Sequence, residues 1–237
     1  MERSGDFQTI TLNGTSIPCK ISRKSKNRIT LRVSPEGIIR VSSPPGIELD
    51  TIRDIIFKRK KWILGKLELT NKHKADSAEK VLYHGRTYSI EVSETKQSKR
   101  VAILPDRGII IINTYRTDES PALILIKKLR REAKRYLTER IRKISTAAGL
   151  PFQQVSVRDQ KTRWGSSSGR GMISLNWRSI MMPEDVSDYL ILHELAHQIH
   201  HNHSKEYWQF LGTLCPGYKE KDRYLQKHSY LLGFYRT

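Results

Sequence analysis

The chain has 237 residues, which is enough to bury one sizeable core or a core with a smaller module. Hydrophobic residues make up 37% of it, but no run approaches the roughly 18 apolar residues of a membrane span, so we expect no membrane segment. The polar N-terminus lacks the apolar region of a secretory signal, and Cys19 and Cys215 are isolated from each other. Both features favour a cytoplasmic protein over a disulfide-bonded secreted one.

Charge is distributed unevenly along the chain. The net charge is +19, of which residues 1–149 carry +16, with 32 Lys and Arg against 16 Asp and Glu. A basic section of this kind can recruit nucleic acid or an acidic partner through non-specific electrostatics. It can equally consist of solvated helix faces, and no recognisable nucleic-acid-binding motif accompanies it. Nucleic acid is therefore a candidate partner only.

The first 77 residues are predicted to form strands followed by one helix. Strands are expected at 7–12, 17–21, 28–33 and 37–41, and the first two flank Asn13-Gly14, which is typical of a tight hairpin. A helical period begins at Leu49 and continues to about Asn71. The polar segment Asn71–Ser77 is expected to connect this β-rich domain, residues 1–77, to a second domain of residues 78–237.

The middle of the chain is predicted to contain more strands and one long helix. Strands are expected within 81–92, where a pair turns at Gly85-Arg86, and at 101–104 and 108–112. Apolar residues three and four positions apart then predict a helix from about Pro121 to Ala148, which ends at Gly149. Two further strands are expected at 154–158 and 172–177, on either side of a turn-rich loop at 163–169.

A helix predicted to start at Pro183 contains the residues that indicate a metal site. Its side chains are apolar in almost every direction, which indicates a buried helix. His193 and His197 are four residues apart and lie on one face, about 6 Å apart along the axis, a separation that suits two ligands of one zinc ion. Glu194 lies beside that position, where a carboxylate can deprotonate a metal-bound water.

A catalytic zinc site needs a third protein ligand and one open position. His203 follows His193 by ten residues, which is the spacing of the extended H-E-x-x-H-x-x-G-x-x-H zinc proteases, although His200 replaces the glycine. His203 can reach the metal only if the chain turns, and we expect Asn202 to make that turn in a left-handed conformation, with Ser204 capping the next helix. His203 is the expected ligand, and the alternatives are His201, Glu206 and His228.

These motifs resemble those of the YgjP-like metallopeptidase family and, more distantly, the SprT-like and WLM zinc proteases. The resemblance rests on His193–His197, on Asn202-His203-Ser204 and on Tyr207-Trp208. It extends to Arg163-Trp164-Gly165-Ser166 and to Leu175-Asn176-Trp177, with Ser167 where the family commonly has Cys. The resemblance implies a zincin-type core in which an edge strand lies antiparallel to a peptide substrate above the metal, and we expect Met172–Trp177 to be that strand.

Together these features predict an α+β fold. A smaller β-rich section precedes a zincin-like core, in which a twisted sheet, a backing helix and the buried H-E-x-x-H helix are expected. The expected activity is that of a zinc metalloendopeptidase acting on protein or peptide substrates. The cofactor is Zn²⁺, the metal ligands are His193, His197 and His203, and Glu194 activates the zinc-bound water. Tyr218 and Arg163 both stay open as donors to the oxyanion.

Two other classes of function compete with this prediction. The SprT-like and WLM relatives suggest a DNA-associated protease, or a nucleic-acid-binding protein, recruited through the basic N-terminal section. A non-enzymatic module with structural zinc is the other class. Structural zinc sites usually have four protein ligands, often cysteines, and the stretch around His193 contains none.

Overall fold

A computed structural model describes residues 6–23, 27–34, 36–96 and 100–233 of the chain. The chain is α+β with a β-rich N-terminal part, and it divides into two compact units, Met1–Ser77 and Ala78–Thr237. In the described part, no helix combines the length and the apolar character that a bilayer crossing requires. Cys19 and Cys215 are both buried and both free thiols.

The first unit contains a four-stranded sheet and two helices. The elements are β1 Asp6–Leu12, β2 Thr15–Arg23, β3 Thr30–Val33, β4 Ile39–Ser43, α1 Leu49–Lys58 and α2 Lys60–Glu79. The strand order is β1-β2-β4-β3, with β2 parallel to β4 and the other two pairs antiparallel. The hairpin at Asn13-Gly14 is confirmed, with φ of 49° and 79°. Alternate strand residues pack against Ile52, Ile56 and Ile63 of the helices.

The helical region of this unit differs from the prediction in two ways. The single expected helix is broken at Arg59, whose N–H lies near the carbonyl oxygens of both Ile55 and Ile56. The break falls within four consecutive cations, residues 58–61, of which Lys58 and Lys61 would lie on one face of a continuous helix and repel each other. The expected connector at Asn71–Ser77 is wrong, because α2 continues through it to Glu79. This segment contains no Gly or Pro, so nothing in it forces the helix to end.

The second unit begins with a sheet that repeats the topology of the first. Its strands are β5 Lys80–Tyr83, β6 Arg86–Ser93, β7 Val101–Leu104 and β8 Ile109–Asn113. The order β5-β6-β8-β7 has the same succession of antiparallel, parallel and antiparallel pairs as the first sheet. The first turns also match, since His84 and Gly85 have φ of 47° and 75°. Sequence analysis did not identify this repeat.

The turn between β5 and β6 supports the region that precedes the H-E-x-x-H helix. The N–H groups of His84 and Gly85 donate to the carbonyls of Ile180 and Met181, at 2.9 and 3.0 Å. A Cβ at Gly85 would lie 2.9 Å from the Cα of Pro183, so the close approach requires glycine. The first sheet of this unit is therefore attached directly to the start of the helix that carries the candidate site.

The long helix predicted from Pro121 is confirmed as α3, Pro121–Ala148. Ser120 accepts a hydrogen bond from the N–H of Leu123, and Gly149 ends the helix in the left-handed conformation with φ of 66°. One face is fully buried in the main core at four-residue intervals: Leu125, Leu129, Ala133, Leu137 and Ile141. Helix α3 contacts both β8 and the H-E-x-x-H helix, so it backs the candidate site.

The remaining elements surround the candidate site. They are β9 Gln154–Arg158, β10 Gly165–Ser167, β11 Met172–Asn176, a 3-10 helix Trp177–Met181, α4 Glu184–Ala196, α5 Lys205–Leu214, α6 Tyr218–Lys227 and a 3-10 helix Ser229–Gly233. The three strands form a sheet in the order β10-β11-β9. Strand β11 pairs antiparallel with β10 and parallel with β9.

The expectation that Met172–Trp177 is an edge strand is wrong. Strand β11 is central in its sheet, and the edge beside α4 is β10, Gly165–Ser167, which lies within the predicted loop. A glycine and two serines have low strand propensity, so this short strand forms through its pairing with β11 rather than through local preference.

Glu132 on α3 yields a stability prediction. Burial raises the pKa of its carboxyl, but hydrogen bonds from Lys128, at 2.6 Å, and Tyr83, at 2.7 Å, lower it below the ordinary value. A depressed pKa stabilises the fold above the unfolded-state pKa, and this contribution is lost as the pH falls through the folded-state pKa. We expect Glu132→Gln to lower the free energy of unfolding by about 1 kcal/mol at neutral pH.

The measurement is urea unfolding of wild type and Glu132→Gln between neutral pH and pH below 4.5, the ordinary pKa of the glutamate. The difference between the two proteins should shrink across this range. Glu139→Gln is the control, because Glu139 forms an exposed pair with Lys143 on the same helix and should have little effect. A pH-independent difference for Glu132→Gln would contradict the prediction.

Candidate functional site

Helix α4 places polar side chains inside the core. It starts after Pro183, with Glu184 and Asp185 in its first turn, where acidic residues favour a helix N-terminus. Its side chains are buried on several faces, so the predicted buried helix is confirmed. Glu194 is only 4% exposed. A buried polar group without compensation costs free energy, so the surroundings of this helix must supply partners.

The chain turns sharply after α4 and returns to it. The helix ends at Ala196, and the N–H groups of Gln198 and Ile199 bond to carbonyls three residues back, which tightens the last turn. The left-handed conformation expected at Asn202 is wrong, since positive φ outside glycine occurs in the described residues at Asn13, His84 and Arg116. Ser204 caps α5 as predicted, accepting from the N–H of Tyr207.

This turn brings three histidines together. The candidate ligand atoms of His193, His197 and His203 all lie within 4.8 Å of one another. The Nε2 atoms of His193 and His203 are 3.2 Å apart. Two nitrogens bound to one tetrahedral zinc at 2.0–2.1 Å are about 3.3 Å apart, so the spacing fits zinc.

The hydrogen bonds of the rings also fit a metal. Nδ1 of His197 lies 3.0 Å from the carbonyl oxygen of His200, so an N–H there can donate and leave Nε2 free to bind. Nδ1 of His193 is buried and has no hydrogen-bond partner among the described residues, while its Nε2 faces another imidazole. A metal ion bound by both Nε2 atoms would account for the close approach of His193 and His203, and it would leave Nδ1 of His193 without a partner.

Aromatic residues of α5 orient these histidines. The ring of Tyr207 stacks on His197 with centroids 4.6 Å apart, and its hydroxyl donates to the carbonyl of His193 at 3.1 Å. Trp208 stacks on His203 with centroids 5.4 Å apart. In the sequence, Tyr207 and Trp208 contribute to the family resemblance and carry no predicted role at the site. Their contribution to the site depends on the return of the chain.

The surroundings favour neutral imidazoles. Burial lowers the pKa of His193 to about 3, and charge on His197 or His203 would lower it further. Burial also lowers the pKa of His197. Because histidine must be deprotonated to bind a metal, these shifts favour metal binding at neutral pH.

Glu194 is held against strand β10. Burial raises the pKa of its carboxyl to about 8, and the positive charge of Arg163 acts in the opposite direction. A Cβ at Gly165 would lie 2.8 Å from Cδ and 2.9 Å from Cγ of Glu194, so only glycine leaves room for the carboxyl group. Sequence reasoning missed this role of Gly165, for which the signal was a glycine between Trp164 and a run of serines.

The histidines and Glu194 open onto one cleft of about 340 Å³. Its walls come from the β10 region and from the end of α4 with the following turn: Arg163, Gly165, Ser166, Ser167, Ser168, Gly169, His193, Glu194, His197, His201 and His203. Gln198 donates to the hydroxyl of Ser167 and so ties the two walls together.

The other candidate residues lie outside the group of three histidines. His201 lines the cleft, but its Nδ1 lies 3.0 Å from the carbonyl oxygen of His197. Glu206 is an exposed residue in the first turn of α5, and His228 stacks on Tyr224. Tyr218 stacks on Trp208 with centroids 5.5 Å apart and does not line the cleft, whereas Arg163 does.

Comparison with protein families identifies a metallopeptidase domain. The chain matches the family model described as "YgjP-like, metallopeptidase domain" over residues 27–228. It is similar to a solved structure, the crystal structure of the metallopeptidase zymogen of Pyrococcus abyssi abylysin. The identity is 26%, the match covers 38% of this chain and 93% of that chain, and the TM-score is 0.35. No curated protein sequence matches the chain.

The approach of Gly165 to Glu194 can be tested by adding one methyl group. Gly165→Ala should lower the free energy of unfolding by about 1–3 kcal/mol, because the new Cβ overlaps the buried carboxyl group. Gly169→Ala is the control from the same cleft wall, where the nearest atom to a new Cβ is 3.7 Å away in the ring of His201. Urea unfolding of both variants is the measurement, and equal stabilities would contradict the close packing.

Proposed function

The chain belongs to the YgjP-like metallopeptidase family, and from this premise we propose that it is a zinc-dependent endopeptidase. The observation that supports the proposal most strongly is the convergence of three imidazoles beside a buried carboxyl group in an open cleft. The proposed zinc ligands are His193, His197 and His203, and the proposed general base is Glu194.

Zinc, when bound, supplies a Lewis acid that polarises the scissile carbonyl and lowers the pKa of water. His193, His197 and His203 would hold the ion as neutral ligands, which would leave one position of a four-coordinate zinc open for the reactants. The described group of potential ligands contains no cysteine, which favours a catalytic over a structural site.

Glu194 would carry the proton in this reaction. A carboxylate oxygen of Glu194 accepts a proton from the attacking water and delivers it to the nitrogen of the leaving amine. The absence of a Cβ at Gly165 leaves the space that the carboxyl group of Glu194 occupies beside strand β10. Arg163 favours the ionised form of Glu194, which is the form that accepts the proton.

Strand β10 would bind the substrate. It is an edge strand with one side unpaired in its sheet, and the part that lines the cleft is one glycine and two serines, whose small size leaves space for a peptide. An extended peptide can add to such an edge through backbone hydrogen bonds. An open edge accepts the interior of a chain as well as its end, which favours endopeptidase activity.

Recruitment to nucleic acid through the basic section, residues 1–149, stays a prediction from charge. Many of these cations lie on α3, where Lys127 pairs with Glu119 and Lys128 with Glu132. A solvated, ion-paired helix face accounts for that part of the charge without a partner. The peptidase proposal does not depend on this outcome.

The ligand set can be tested by metal binding. We expect the wild type to bind one zinc ion, and His203→Ala to lose more than about 100-fold in affinity, because removing a direct ligand exceeds the effect of removing an outer partner. His201→Ala is the matched control, since His201 lines the same cleft outside the group of three. Calorimetric titration with zinc measures the affinity of each variant. Equal affinities of the two variants would assign the third ligand elsewhere.

The base is tested by Glu194→Gln, which preserves the shape of the side chain but removes its basicity. We expect zinc content to be unchanged and hydrolysis of labelled casein to fall by about 10²–10⁴-fold. Glu206→Gln is the control, because Glu206 is an exposed carboxylate outside the cleft. Zinc binding with no Glu194-dependent hydrolysis of any protein or peptide would argue for a non-enzymatic zinc module.

A further inference from the structure

Arg163 is the one Lys or Arg side chain among the described residues that line the cleft. It is solvent-exposed, and no described residue forms a hydrogen bond or ion pair with its guanidinium group. Within the described part of the chain, Glu194 is the only carboxylate that lines the cleft; it is 4% exposed and interacts with Arg163 through its charge alone. The cleft mouth therefore presents an unneutralised cation to any bound peptide.

The backbone around Arg163 is held in place on both sides. The side-chain amide of the fully buried Asn176 donates to the carbonyls of Gln160, at 2.8 Å, and Arg163, at 3.2 Å. The N–H of Asn176 donates to the carbonyl of Trp164 at 2.7 Å. The indole N–H of Trp164 donates to the carbonyl of Leu225. The segment is thus fixed to β11 and to α6, while the guanidinium group stays free.

Asp159, the acidic residue in the same segment, forms ion pairs with residues other than Arg163. Asp159 forms ion pairs with Arg130 and with Arg178, which is completely buried. These two pairs hold the start of the segment and take up the carboxylate that is nearest to Arg163 in the chain. The arrangement leaves no negative charge in the segment to neutralise Arg163.

We propose that Arg163 forms a substrate subsite that binds a carboxylate near the scissile bond. This inference rests on the proposed peptidase function. A guanidinium group binds a carboxylate through two parallel hydrogen bonds, a geometry that a free and positioned arginine is suited to make. Arg163 is exposed, whereas Glu194 is buried in the same cleft, so the position of the guanidinium group fits a substrate carboxylate at the mouth better than the oxyanion at the reacting bond.

Cleavage of a peptide library tests the subsite. Wild type should cleave preferentially where Asp or Glu occupies one position relative to the scissile bond, and Arg163→Gln should lose this preference by about tenfold or more. Arg163→Glu should instead prefer Lys or Arg at that position, a reversal that a structural role would not produce. Arg170→Gln, an exposed arginine in the β10–β11 turn outside the cleft, is the matched control and should keep the wild-type preference.

The same library separates the two sources of a carboxylate. Preference for internal Asp or Glu identifies a side-chain subsite, and cleavage at a constant distance from free C-termini, lost when the termini are amidated, identifies a terminal subsite. Wild-type cleavage without preference for either overturns the proposal. If Arg163→Gln keeps the wild-type preference for acidic peptides and lowers kcat equally for acidic and neutral ones, the subsite is overturned, and Arg163 acts only through its charge on Glu194 or on the oxyanion.

A binding experiment separates this inference from the proposed activity. A fluorescein-labelled peptide of alternating Glu and Gly, and its Gln counterpart, are titrated with Glu194→Gln protein, both loaded with zinc and after chelation. Arg163→Gln in this background should weaken binding of the acidic peptide about tenfold and leave the Gln peptide unchanged. Arg170→Gln, which removes the same charge, should weaken binding of the acidic peptide only slightly. Equal effects of the two substitutions overturn the subsite even if no peptide is hydrolysed.

Discussion

The candidate site depends on the burial of a carboxyl group and an imidazole within one apolar helix. Helix α4 carries Glu194 and His193 into the core of the second unit, where polar groups without partners destabilise a fold. The neighbouring elements supply compensation. The turn after α4 returns His203 to the first histidine, and Tyr207 bonds to the backbone of α4. The geometry of the proposed metal site and the stability of the region therefore have the same origin.

A second constraint is the close contact between this helix and strand β10. Gly165 has no side chain because the carboxyl group of Glu194 occupies that space. The strand itself is held by its pairing with β11, and the segment before it is held by Asn176. One short edge strand thus positions the proposed base, borders the cleft and presents Arg163. A change in the strand would affect all three properties together.

The two four-stranded sheets have the same topology but make different packing contacts at their first turns. Both begin with a hairpin whose turn has two residues with positive φ, Asn13-Gly14 in the first and His84-Gly85 in the second. In the second unit the turn also bonds to the segment before α4, and glycine is required there by the proximity of Pro183. The turn geometry is common to both sheets, but the packing role belongs to the second.

Local patterns in the sequence determined most elements and the chemical identity of the site. Hairpin turns, the period of α3 and the apolar surroundings of His193 and Glu194 are short-range features, because they depend on neighbours in the chain. Only the tertiary structure decided which strand forms the edge of the sheet, since a three-residue strand such as β10 is stabilised by its partner and not by its own residues. The tertiary structure also decided three features of the site: the return of His203 to His193, the space that Gly165 leaves for Glu194, and the unpaired state of Arg163. Each depends on residues that are distant in the chain and that meet only when the second unit has folded.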